Sequence, residues 1–248
     1  MMVEIAKLRR TKVILLGLLT SIAVLLFSCI NLFAEKSVGY FSAFPDNAWG
    51  SHLVVLAISL SLMSPLQLAL IASRAVDTEH ASGGWMLNAM AGVPTGLLLR
   101  RKLLVTAPLV TALKTLEFSL SFSLPILLGA PLPPRQAALA WFGFYAASVI
   151  TSILVLAVML ILSAVTESQV GVLALGVVGG FLGVGAMLSP PWLAALNPFG
   201  YFAVTTPYRF SDTGISATDP SWMAWLAYLT LITVGFLALT CRLNRKEV

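Results

Sequence analysis

From Lys12 onward, long apolar runs alternate with short polar breaks. The runs cover roughly residues 12–33, 51–72, 98–128, 138–165, 170–188 and 222–240. Each approaches or exceeds the roughly 20 apolar residues with which a helix crosses about 30 Å of hydrocarbon. The pattern predicts an all-α integral membrane protein, with six transmembrane helices in a single domain over residues 1–248. The third and fourth runs are longer than a bilayer requires, so they should tilt, protrude or contain a break.

The breaks carry their own patterns. Residues 1–11 place Ile5 and Leu8 on one side of a helix and Glu4, Lys7 and Arg10 elsewhere. A short amphipathic helix on the inner leaflet fits this; a frayed basic tail is the alternative. The first run exceeds a usual signal-peptide core and lacks a small-x-small cleavage site, so it is expected to be a retained span. Residues 189–221, an expected extracellular loop, are rich in aromatics and interrupted by Pro198, Pro207 and Pro220. They suit short interfacial or re-entrant helices, as an anchor or a lid. His52 beside Trp49 is expected at the same interface. In "VTESQV", Thr166 with Gln169 resembles a capping box, and Glu167 suits the positive end of the following helix.

Composition strengthens the membrane reading. Of 248 residues, 58% are hydrophobic and 10% charged, with mean hydropathy +0.94. Soluble domains carry about 25% charged residues, and so few charges cannot coat a globule. The net charge of +5 is distributed by topology. Lys7, Arg9, Arg10, Lys12, Arg74, Arg100, Arg101, Lys102, Arg242, Arg245 and Lys246 fall on one side, and Lys36, Arg135 and Arg209 on the other. The richer side is expected to be cytoplasmic, which places both termini there and requires an even number of spans. No basic, aromatic-interleaved soluble face points to nucleic acid. Cys29 and Cys241 stand too far from partners for a disulfide framework or a thiolate metal site.

Chemistry-bearing residues are few. Lys114 and Glu117 lie three apart inside the third run, on neighbouring parts of one helix face. An ion at mid-bilayer costs about 2.5–3.5 kcal/mol on insertion scales, so both should face the bundle interior. They read either as the lining of a substrate or ion path or as an internal pair holding helices in register. Gly176 and Gly180, and likewise Gly179 and Gly183, stand four apart and predict a groove for close helix packing. His80 has Asp77 and Glu79 nearby but no second His, which argues against a metal site. The chain contains no GxxxxGK[ST], so it cannot itself be an ATPase of that class; GxSxG and HExxH are also absent.

The break at residues 76–97 carries the most information. Gly83-Gly84 can interrupt the chain, and Trp85 to Ala91 can form a short helix with Met86, Ala89, Met90 and Val93 as an apolar stripe. Pro94 then ends it or starts the next helix. Such a stripe is costly if left wet, so it should meet the bilayer or a partner.

A six-span chain with "EIAKLRRTK" before its first helix and "EHASGGWMLNAMAGVPTGLLLRRK" before its third resembles ABC-2 type permeases, and among them the small permease subunits of lantibiotic immunity exporters. The resemblance implies a type V exporter-like architecture whose cytoplasmic coupling helix docks on a separate ABC ATPase. Glu79, Gly83, Gly84, Trp85, Met86, Met90, Pro94 and Lys102 occupy the positions of that family pattern. Thr95-Gly96 departs from it, because relatives often carry a basic residue immediately after the Pro. It further implies a multi-pass protein of the bacterial cytoplasmic membrane, paired with a second permease chain and expelling a peptide or hydrophobic drug. ATP and Mg would bind the ATPase, with no cofactor on this chain. An ion-coupled transporter or channel using Lys114 and Glu117 is the competing expectation.

Overall fold

The structure, a computed structural model, describes residues 11–33, 37–166, 168–211 and 214–246. The helix expected over residues 1–11 falls, but for its last residue, outside these, as do Lys36 and Glu167. The first long helix, α1 (Val13–Cys29), ends in a 3₁₀ turn, Ile30–Phe33. It is followed by α2 (Ser37–Ala43), α3 (Pro45–Ala81), α4 (Gly84–Met90), α5 (Thr95–Leu127), α6 (Arg135–Val165) and α7 (Gln169–Met187). Two short helices, α8 (Pro191–Leu196) and α9 (Tyr201–Thr205), lead into an antiparallel hairpin of β1 (Tyr208–Ser211) and β2 (Gly214–Ala217). The last helix is α10 (Trp222–Lys246). Helices α1, α3, α5, α6, α7 and α10 are the six long and apolar enough to cross a membrane.

The second span is much longer than its apolar run. At 1.5 Å per residue, the 37 residues of α3 reach about 55 Å, so the helix outruns the hydrocarbon layer. Its final turns absorb Asp77, Glu79 and His80, which the sequence places in a loop. These polar side chains are helical because each finds a partner on another element, as described below. Its start at Pro45 also carries His52 two turns inward. His52 is therefore not an interface residue: it is buried, with Nε2 2.8 Å from the Ser121 carbonyl and its ring near Trp49 and Trp141.

Helix α3 is the axis of the bundle, packed by α1, α6 and, along its greatest length, α7. Glycine makes the α3–α7 approach possible. A Cβ at Gly176 would lie 2.8 Å from Ala69 Cβ, one at Gly180 would overlap the Leu62 carbonyl oxygen, and one at Gly183 would lie 2.8 Å from Ser61 O. Pro65 has no N–H, so it leaves the Ser61 carbonyl without its helical donor, and Gly183 packs against that gap. Gly179 instead accommodates the Phe199 ring, 2.7 Å from where its Cβ would be. All four glycines thus meet partners within the chain.

Two local expectations are corrected. Thr166 does not cap α7: α6 runs to Val165, which leaves Thr166 as an extended C-cap, and Ser168 Oγ accepts the Gly171 N–H. Gln169 instead donates to Asp77 Oδ1 at the end of α3. The loop at 189–221 contains a hairpin as well as helices, and Gly214, at φ +121°, opens its second strand. The hairpin rests on the start of α3, where Tyr208 approaches Gly50. Helix α10 is held near its start by Trp225 Nε1 donating to Thr151 Oγ1 at 3.0 Å and by Tyr228 stacked on Tyr201 at 3.7 Å.

Candidate functional site

The break between α3 and α5 folds into a helix fixed from behind. Gly83 takes a left-handed φ of +63°, which turns the chain sharply out of α3 at little steric cost. Gly84 opens α4 against Glu79; a Cβ there would overlap Glu79 Oε2. Glu79 itself is only 1% exposed. Its Oε1 accepts from Lys102 Nζ at 2.9 Å, and its Oε2 from Asn88 Nδ2 at 3.1 Å. Lys102 Nζ also donates to Ala75 O at 2.7 Å, and Asn88 Nδ2 to Gly84 O at 2.7 Å. One carboxylate therefore joins the end of α3, the whole of α4 and the early turns of α5. Removing either charge would strand the other in a buried site.

A second tie runs through His80. Its Nε2 lies 2.9 Å from Ser163 O on α6, a carbonyl that can only accept, so the proton is on Nε2. Its Nδ1 is then free to accept the Trp85 indole N–H at 3.3 Å. Trp85 packs on the same ring, centroids 5.6 Å apart. The backing of α4 thus reaches α3, α5 and α6.

The opposite side of α4 is bare and apolar. Met86 is 69% exposed, Leu87 60% and Met90 78%. The sequence stripe of Met86, Ala89, Met90 and Val93 is rotated: Ala89 and Val93 are half-buried, and Leu87 joins the exposed face. With only seven residues, α4 is oriented by the anchors Gly84, Trp85 and Asn88 rather than by its own periodicity. Pro94, extended at ψ 156°, is the N-cap of α5. Of the eight residues singled out from the sequence, Met86 and Met90 lie on this exposed face, whereas Glu79, Gly84 and Lys102 are buried behind it.

The cations entering α5 do more than mark topology. Lys102 is the Glu79 partner. Arg100 reaches α10, with Nε donating to Thr240 Oγ1 at 2.8 Å and a terminal nitrogen to Leu237 O at 3.2 Å. The Leu97 N–H, unsatisfied within α5 because it lies in the first turn, donates to Asn244 Oδ1 at 3.0 Å.

Deeper in the bundle, Lys114 and Glu117 are fully buried, at 0% exposure. The three ammonium protons meet Glu117 Oε2 at 2.7 Å, Gln67 Oε1 at 2.8 Å and Ser64 Oγ at 2.9 Å. Glu117 Oε1 accepts from Ser21 Oγ at 2.6 Å and Gln67 Nε2 at 2.9 Å. Helices α1, α3 and α5 are thus joined by a closed network in which the ammonium has no donor left for a passing ion. This geometry matches an internal pair holding helices in register. The sequence reading missed Ser21, Ser64 and Gln67, although Ser64 and Gln67 repeat the three-residue spacing of Lys114 and Glu117 within an apolar run.

Among the described residues no three His, Cys, Asp or Glu side chains gather where they could hold a metal. The exposed side chains of Met86, Leu87 and Met90 thus sit on a helix tied by buried contacts to three long helices.

Comparison with known families finds a match to the model of the ABC-2 family transporter protein, over residues 1–183. No curated protein and no solved structure matches the chain.

Proposed function

Since the chain belongs to the ABC-2 family of transporter proteins, we propose that it is the membrane-spanning permease subunit of an ATP-driven exporter. A separate ABC ATPase, which binds ATP and Mg, docks on α4 from the cytoplasm. The carrying observation is the exposed apolar triad of Met86, Leu87 and Met90 on a helix anchored from behind by Glu79, Lys102 and Asn88. An apolar surface with so rigid a backing suits a docking lever. Movement of the ATPase displaces α4, and the Glu79 carboxylate hands that displacement to α3 and α5 together.

In this reading the α4 end of the bundle faces the cytoplasm, in keeping with Lys12, Arg74, Arg100, Arg101, Arg242 and Arg245 at that end. A second permease chain, identical or a sister subunit, completes the path in the bacterial plasma membrane. The cargo is an amphipathic antimicrobial peptide, as in lantibiotic self-immunity, or a hydrophobic drug. The permease does no chemistry on ATP.

The test is co-purification of an ABC ATPase with this chain, followed by export of a fluorescent cationic amphipathic peptide in inside-out vesicles. Export should require ATP and survive an uncoupler. Met86→Asp/Met90→Asp should weaken ATPase association at least about 100-fold, since each buried Met contributes about 1.5–3 kcal/mol. Absence of an associated ATPase together with ATP-independent, uncoupler-sensitive transport would overturn the proposal in favour of ion coupling.

A further inference from the structure

A groove of about 350 Å³ opens on the outer surface of the bundle between α5 and α6. This is within the usual range for small-molecule sites. Phe118, Phe122, Trp141 and Tyr145 form its walls, and Thr115 and Ser119 its polar edge. Elsewhere the exposed face of the first three turns of α1 is aliphatic, with Ile14, Leu15, Leu18, Leu19 and Ile22. A ring-lined recess with hydroxyls is a different surface.

Its depth can be counted along the helices. Phe122 lies five residues before the end of α5 and Thr115 twelve, or about 8 and 18 Å at 1.5 Å per residue. Tyr145 lies ten residues into α6, about 15 Å. Measured from those helix ends, the polar corner lies about 15–18 Å in, comparable to half of a 30 Å hydrocarbon layer.

The protons at that corner can also be counted. Thr115 Oγ1 lies 2.8 Å from Thr111 O and 2.8 Å from Tyr145 OH. The carbonyl can only accept, so the Thr115 proton goes to it, and the Tyr145 hydroxyl donates to Thr115. This leaves the phenolic oxygen as an acceptor facing the groove. The Ser119 hydroxyl, exposed at the groove, has no side-chain hydrogen bond among the described residues. Hydroxyls left unpaired in hydrocarbon are costly, and an acyl chain has nothing to offer them.

We propose that this groove is a binding site, entered sideways from the bilayer, for a neutral ring-sized apolar group carrying an O–H or N–H donor. The aromatic walls take the ring, and Tyr145 and Ser119 take the donor. Among the described residues no charged side chain lines the groove, so the bound portion is uncharged. Resting on the exporter reading, this names the recognised part of the cargo as an aromatic or alicyclic moiety with one polar hydrogen.

The experiment uses the permease with its partner subunits in lipid nanodiscs, without ATP. Two photoprobes are compared: 4-hydroxybenzophenone, which carries the donor, and 4-methoxybenzophenone, which does not. Mass spectrometry maps the adducts. Peptides covering residues 115–122 and 141–145 should be labelled about 5-fold more by the hydroxy probe, the factor expected for one net hydrogen bond. Tyr145→Phe/Ser119→Ala, which keeps the rings, should abolish that preference. Equal labelling by both probes would overturn the proposal, because the groove would then be an ordinary lipid-facing surface. So would labelling no higher than on α1, or complete protection by a second copy of the chain. Export by a chain whose groove takes no label would remove the site and leave the exporter. Donor-dependent labelling of a chain that exports nothing would do the reverse.

Discussion

Replacing Lys114 by Met removes the ammonium from the centre of the bundle and strands the Glu117 carboxylate at 0% exposure. Glu117 Oε1 keeps Ser21 and Gln67, but Oε2 loses the Lys114 ammonium at 2.7 Å, while Gln67 Oε1 and Ser64 Oγ lose theirs. An uncompensated buried charge of this kind costs about 3–5 kcal/mol. The double variant Lys114→Met/Glu117→Met removes the charge altogether and leaves Gln67 Nε2 bonded to Ser21 Oγ at 3.0 Å. It should recover at least about 2 kcal/mol over the single variant, since apolar replacement of a whole buried pair is often neutral. Titration with SDS in mixed micelles, followed by tryptophan fluorescence, measures both stabilities; vesicle export measures both activities. A double variant no more stable than the single would refute the argument. So would loss of export in the single variant at wild-type stability, because the pair would then belong to a transport path.

Glu79→Gln should leave membrane insertion intact but uncouple export from ATP hydrolysis, with export per ATP falling at least about 10-fold as the α4 support loses its charge partner; equal stoichiometry in proteoliposomes would remove Glu79 from the relay. Trp85→Phe deletes the donor to His80 and should speed amide exchange in α4 about 5-fold, as judged by mass spectrometry. Gly180→Val forces a side chain into the Leu62 carbonyl and should cost at least about 1–3 kcal/mol. Gly185→Ala, with nothing within 4 Å of its added methyl, should be neutral or stabilising in the same denaturation assay.

The six spans were legible because a helix in hydrocarbon must show an apolar surface to lipid over its whole length. The ends of α3 were not. Asp77, Glu79 and His80 look like loop residues until Gln169, Lys102 and Ser163 arrive from α7, α5 and α6 to satisfy them. The punctuation of α4, Gly83 before it and Pro94 after it, was readable because it acts through local backbone geometry. Which side of α4 faces outward was not, since distant anchors decide it. For the same reason Lys114 and Glu117 could be paired from spacing, whereas Ser21, Ser64 and Gln67 could not. Strands of four residues are too short for a period-two signal, so the hairpin was missed. Thr166 was mistaken for a cap because the sequence does not reveal that α6 continues to Val165.

The link between the start of α5 and the end of α10 also bears on biosynthesis. Arg100 and the Leu97 amide emerge from the ribosome about 140 residues before Thr240 and Asn244, their partners. Until translation delivers the sixth span, a guanidinium and a first-turn amide at the bundle's edge have only water in place of these partners. A chain that has reached only its fifth span therefore lacks the partners that close this corner.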